Sequence, residues 1–207
     1  MKIMPGIFFL LSWYTVSPQA LYRVTEDYFR ASPFKTEFSQ FLTRLIEDPA
    51  LSEKDIRKKT DSTLFYLQGV YTGHAPFFFP SSRCKIVVAE QEEYTDSSFT
   101  EAYTFFVYQL NSYASPGQEG LKEIRQEFEK LSRRFKKGFG TTDQKELKNG
   151  NEQTGAIMNY AYKNMDFYPL TFAWATAADN KENVLALTIR FFIIDNKAYL
   201  PVPPDSP

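Results

Sequence analysis

Two stretches of this chain repeat apolar side chains every third or fourth residue, and six others are apolar or alternating over lengths suited to strands. In the first, Phe34, Phe38, Phe41, Leu42, Leu45 and Ile46 share one side of a helix, while Lys35, Glu37, Gln40, Thr43, Arg44 and Glu47 fall on the other. Ser32-Pro33 offers a cap and then a proline whose missing N–H costs nothing in a first turn, so the helix is expected to open there and to end at Asp48-Pro49. In the second, Leu121, Ile124, Phe128, Leu131 and Phe135 recur at spacings of three and four after Ser115-Pro116-Gly117, with Gly138 as the stop. Two heptads suit one helix lying on a sheet better than a coiled coil, which needs three or more.

The expected strands are Thr63–Tyr71, Arg83–Ala89, Ala102–Leu110, Ala156–Met165, Leu170–Ala178 and Val184–Ile194, each rich in β-branched and aromatic residues. Glu90 to Thr100 joins the second and third as a long hairpin loop, and Ala178 to Asn183 forms a polar tip between the last two. Leu51 to Ser62, charged and without a wide apolar face, reads as a surface connection. Gly138 to Thr154, with its Gly and Asn turn formers, reads as a mobile loop. The residues show no internal repeat. Helix, three strands, helix, three strands predicts an α+β fold: an antiparallel sheet of about six strands with two amphipathic helices packed on one face.

Ahead of this pattern stands Met-Lys, then an apolar run from Ile7 to Val16, then Ser17-Pro18-Gln19-Ala20. That order predicts a signal peptide over residues 1–20, although Pro5 and Pro18 depart from the usual form. The run is about half the ~20 residues of a spanning helix, so no stable transmembrane anchor is expected. A buried first strand is the competing reading. Residues 21–200 then form a single α+β domain, and 201–207, with four prolines, a disordered tail.

Composition adds an aromatic core, since 17% of the chain is Phe, Tyr or Trp. A net charge of −1, from 24 basic and 25 acidic side chains, gives no field to gather nucleic acid, so no nucleic-acid partner is expected. Cys84 stands alone and leaves no intramolecular disulfide, and no Asn-x-Ser/Thr sequon occurs; both suit a bacterial periplasmic or secreted protein.

Chemistry-bearing clusters are few. His74 and Cys84 are the one histidine and the one cysteine, which allows a nucleophilic pair and leaves an ordinary structural zinc site out of reach. Glu90 and Glu92 alternate to one side of a strand end, roughly 7 Å apart, a spacing near that of glycosidase carboxylates. Arg133, Arg134, Lys136 and Lys137 face the negative end of a helix dipole, which explains them without a ligand. Three phenylalanines between prolines, in Gly73-His74-Ala75-Pro76-Phe77-Phe78-Phe79-Pro80, cannot all take one side of a sheet. They read as a core plug or as an aromatic binding edge formed by His74, Phe77, Phe78 and Phe79. The expected function is therefore an exported non-enzymatic domain that binds another protein or a small ligand, with no cofactor and no metal. The alternative is a hydrolase using Glu90 and Glu92 or the His74 and Cys84 pair.

Overall fold

The computed structural model describes Tyr22 and residues 27–29, 32–71, 79, 83–94, 102–136, 141–150, 152–161, 168–176 and 182–200. The expected signal peptide, the 201–207 tail and most of the aromatic loop lie outside the described residues. Helix α1 spans Phe38–Glu47 and buries Phe38, Phe41 and Leu45. It begins later than Ser32-Pro33 implies, because the Ser32 hydroxyl accepts the Phe34 N–H (3.2 Å) and closes a separate turn. No side chain from Glu37 caps it. The cap comes from 157 residues away: Phe38 N–H donates to the Asn196 carbonyl (2.7 Å) and Ser39 N–H to its Oδ1 (3.0 Å).

Helix α2 spans Gln118–Lys136 and buries Ile124, Phe128, Leu131 and Phe135 of the expected stripe. Gly117 precedes it at φ 85°, a conformation that costs only glycine little. The turn is fixed by buried Asn183, whose amide donates to the carbonyls of Ser115 and Gly117, both at 3.0 Å.

The α+β class with an antiparallel sheet and two helices is as expected; the strand number is not. Among the described residues nine strands form: β1 Leu51–Arg57, β2 Tyr66–Tyr71, β3 Arg83–Tyr94, β4 Ala102–Ala114, β5 Thr141–Asn149, β6 Glu152–Ala161, β7 Leu170–Thr176, β8 Asn183–Ile194 and β9 Lys197–Tyr199. The sheet order is β1-β2-β3-β4-β8-β7-β6-β5, with β9 paired to β8. The expected connection at 51–62 contains β1, and the expected loop at 138–154 contains β5. Both are edge strands, where charge and irregularity discourage pairing with another chain. β1 carries a bulge between Ser52 and Asp55 with Glu53 at φ 50°, and β5 is exposed along almost its whole length. β9 arises because Asp195 and Asn196, at φ 49° and 62°, make the two-residue turn of a tight hairpin.

The same topology contains a repeat that the residues do not show. A helix and four antiparallel strands, α1-β1-β2-β3-β4, are followed by α2-β5-β6-β7-β8, and the two units meet where β4 pairs with β8. Tyr71 and Tyr160 hold matching places, two strands out from that seam, through Tyr71↔Cys84↔Ser112 and Tyr160↔Leu170↔Ile189. Each hydroxyl donates to its own unit's helical segment, Tyr71 to Asp48 Oδ2 (3.1 Å) and Tyr160 to the Ser132 carbonyl (3.3 Å).

The core is largely rings. Phe128 stacks on Phe172 with centroids 5.2 Å apart, Phe135 meets Tyr160 edge-on, and Phe38 meets Phe106 and Phe191. Phe29 lies 4.0 Å from Tyr108, and Arg134 ties down the same segment by donating to Asp27 and to the Tyr28 hydroxyl. No helix among the described residues is long and apolar enough to cross a membrane.

Asn196 serves both the hairpin and the helix cap, so two substitutions separate the roles. Asn196→Gly keeps the positive φ and loses the side-chain bonds, for an expected cost of about 1 kcal/mol. Asn196→Ala adds backbone strain of ~1–2 kcal/mol. Chemical denaturation of the two variants checks the order; equal stability would show that the turn carries no strain.

Candidate binding face

Those of the singled-out residues that are described sit in separate surroundings. Phe79 is buried at 8% exposure within the core, while His74, Phe77 and Phe78 lie outside the described residues. Cys84 is fully buried on β3, accepts the Ser112 hydroxyl at 3.9 Å, and has its thiol pushed up to about 12 by burial. That holds the sulfur as an inert thiol rather than a nucleophilic thiolate. Glu90 and Glu92 differ sharply in surroundings. Glu90 is buried and engaged at both oxygens, by Lys59 Nζ at 2.5 Å and by the Phe65 N–H at 3.2 Å, whereas Glu92 is exposed. Glu90 fastens the segment before β2 to the sheet. In the basic run, Arg134 is taken by Asp27 and Tyr28, and Arg133 donates to the Glu129 carbonyl. No group of three metal-ligating side chains occurs among the described residues.

Burial also sets the alkaline behaviour. Beside Cys84, the Tyr160 hydroxyl is pushed from 10.0 to about 12, and fully buried Tyr108 well above 10.0, both chiefly by desolvation. These groups are neutral when protonated and their folded values are raised. Their stabilising contribution is thus complete below the unfolded values and lost as pH climbs toward the folded ones. The denaturation midpoint is expected to stay level to about pH 9 and to fall steadily from there to about pH 12. A level midpoint through that whole window would show that the hydroxyls and thiol ionise without opening the core.

A different set of side chains does converge, and strand register brings it together. The pairings Asp55↔Gln68↔Val87↔Gln109↔Thr188↔Thr171↔Asn159↔Asp143 run unbroken across eight strands on one side of the sheet. Seven of those eight residues are polar, and several are mutually held. The Thr171 hydroxyl donates to Asn159 Oδ1 (2.9 Å), Gln109 Nε2 donates to Asn111 Oδ1 (2.9 Å), and the Tyr66 hydroxyl to Gln68 Oε1 (2.7 Å). The next row over β7 and β8 is small, with Ala173 opposite Ala186. All the central members are half-buried, while Phe105 and Val107 on the same side are buried at 4% and 5% exposure.

One end of this face is aromatic. Tyr103 lies 5.8 Å from Phe105 and 6.1 Å from Phe192, while Ile194 and Tyr199 are exposed at 58% and 42%. Burial, with a hydrogen bond to Glu93, pushes the Tyr103 hydroxyl up to about 12. Arg190 stands beside them and donates to the Tyr168 carbonyl (3.2 Å) and the Thr171 hydroxyl (3.1 Å). At the other end Arg83 lies over the Tyr113 ring at 4.2 Å and pairs with Glu182 at 2.8 Å.

Two depressions among the described residues are shallow. One of about 190 Å³ lies on the polar face between Gln68, Val70, Lys85 and Tyr113, and another of about 270 Å³ lies between Lys35, Glu37 and Tyr199. Both fall below the ~300–1,000 Å³ of pockets that enclose a small molecule. The sequence offered a faint signal for this face in the alternate positions of its strands, such as Gln109-x-Asn111 and Thr188-x-Arg190. Only the register turns these separate pairs into one surface. No protein-family model, no curated protein and no solved structure matches the chain.

Proposed function

We propose that this chain is an exported, non-enzymatic binding domain that docks another protein on the polar face of its sheet, with both helices packed against the opposite face. The observation that carries the reading is the row from Asp55 to Asp143, polar at seven of its eight positions and flanked by Tyr and Arg side chains of the kind enriched at protein interfaces. The helix contacts agree with it. Phe38 and Phe128 reach Phe191 and Phe172, which alternate along β8 and β7 away from Thr188 and Thr171. Shallow relief favours a broad partner over an enclosed small molecule. Export rests on the order of charge, apolar run and Ala20 at the N-terminus.

Because the one cysteine is buried Cys84, a single engineered thiol takes a photo-crosslinker selectively. Thr188→Cys places it at the middle of the face, and Glu129→Cys on the exposed side of α2 serves as the control. In extract from the native host, a discrete adduct is expected from Thr188→Cys and none from Glu129→Cys. Adducts from the control alone would move the binding surface to the helices.

A further inference from the structure

Most charges on the polar face are already neutralised within the molecule. Arg57 pairs with Asp55 at 2.9 Å, Lys145 with Asp143 at 3.5 Å and Arg83 with Glu182 at 2.8 Å. Two cations are not. Lys85 and Arg190 are both half-buried, and neither forms an ion pair among the described residues. Among the described residues the Arg190 side chain hydrogen-bonds through one nitrogen, Nη1, to neutral oxygens of Tyr168 and Thr171. The acid in its field, Glu93, is hydrogen-bonded to Tyr103. Among the described residues the Lys85 side chain makes no hydrogen bond, and Glu53, which lines the same shallow cleft, forms no ion pair with it. Partly desolvated charges are normally paired, since burial disfavours the ionised form. Burial indeed lowers the Arg190 pKa from its ordinary value.

Register fixes where the two cations stand. Lys85 pairs with Asn111 on β4, and Arg190 with Val107 on the same strand, so they are four residues apart along β4 and on its two flanking strands. Standard sheet spacings put them roughly 16 Å from each other. Gln109, Asn111 and Thr188 lie between, carrying amide and hydroxyl groups suited to a peptide backbone. An extended segment advances ~3.3 Å per residue, so acidic side chains four residues apart on one side of it come within reach of both cations.

Building on the binding reading above, we infer that the partner presents an extended acidic segment to this face, with one carboxylate received by Arg190 and another by Lys85. The guanidinium fork takes its carboxylate in a directed geometry and the ammonium takes the second as a point charge. Steering by the two cations makes the association sensitive to salt.

The test uses the full chain and a fluorescent decapeptide of alternating Glu and Ser, which places all its carboxylates on one side when extended. A Gln-Ser decapeptide is the neutral control, and anisotropy is read at low and high salt. The Glu-Ser peptide is expected to bind saturably and more weakly at high salt, and the Gln-Ser peptide not to bind. Lys85→Gln should weaken binding about tenfold, and Arg57→Gln, which removes a cation already paired with Asp55, less than about twofold. Arg190→Gln should match Lys85→Gln, and Arg190→Lys should recover part of the loss; melting curves check that losing the Nη1 bonds to Tyr168 and Thr171 leaves both variants folded. Equal binding of the two peptides, or equal effects of Lys85→Gln and Arg57→Gln, would overturn the inference. If neither peptide binds while the Thr188→Cys adduct persists, the acidic partner is wrong and the docking face stands. If the adduct is also missing, both fall.

Discussion

Phe128→Ala is expected to lower the stability of the fold by about 3–5 kcal/mol, the range for emptying a buried aromatic site. Phe128 is 6% exposed, stacks on Phe172 at an interplanar angle of 10°, and sits at the middle of the α2 stripe. Phe172 in turn meets Phe135 edge-on, so the cavity opens beside two rings that are already packed against each other. Collapse into it is limited, which places the cost toward the upper end. Leu131→Ala, at a 2% exposed site on the same stripe, should cost about 2–5 kcal/mol. Urea denaturation measures both. Loss under 1 kcal/mol at either site would mean that the stripe does not pack on the sheet.

Gly120→Ala is expected to cost about 3 kcal/mol although it adds a single methyl group. A Cβ there would stand 1.9 Å from the Ser115 carbonyl oxygen and 2.8 Å from its carbon, which are backbone atoms and cannot rotate away. The strand of chain they belong to is also pinned, since Asn183 holds the same Ser115 carbonyl and that of Gly117. Relief requires unwinding the first turn of α2 or breaking the Asn183 bonds. Gly117→Ala offers a calibrated contrast. Nothing lies within 4 Å of its Cβ position, so only the positive φ of 85° opposes the change, at ~1–2 kcal/mol. The denaturation midpoints should therefore rank Gly120→Ala well below Gly117→Ala; the reverse order would mean that the turn shifts freely.

What the chain's pattern revealed and what it hid follow from how each element is stabilised. The stripe of α2 and the central strands β3, β4, β7 and β8 are written in apolar residues because they build the core, and periodicity detects them. β1 and β5 are edges, with solvent on one flank, and their charged residues conceal them among loops. α1 starts later than its local residues imply because its cap is Asn196, brought in by a hairpin at the far end of the chain, and no local signal records such a partner. Cys84 and Glu90 looked like reagents in a list of residue types. The fold instead buries the thiol beside Ser112 and closes the carboxylate with Lys59 and Phe65. The polar face was hidden for the opposite reason: each of its residues alone resembles a solvated strand position, and only pairing across eight strands lines them up.

The central claim is that this face, and not the helices or the core, engages the partner. Ala173→Arg tests it most directly. Ala173 lies in the small row beside Thr171, points to the polar side and is half-buried, so a long charged side chain would stand over the centre of the face without entering the core. Melting temperature and capture of the crosslinked partner should be measured on the same preparation. An unchanged melting temperature with capture abolished is the predicted result; unchanged melting with capture intact would contradict the account.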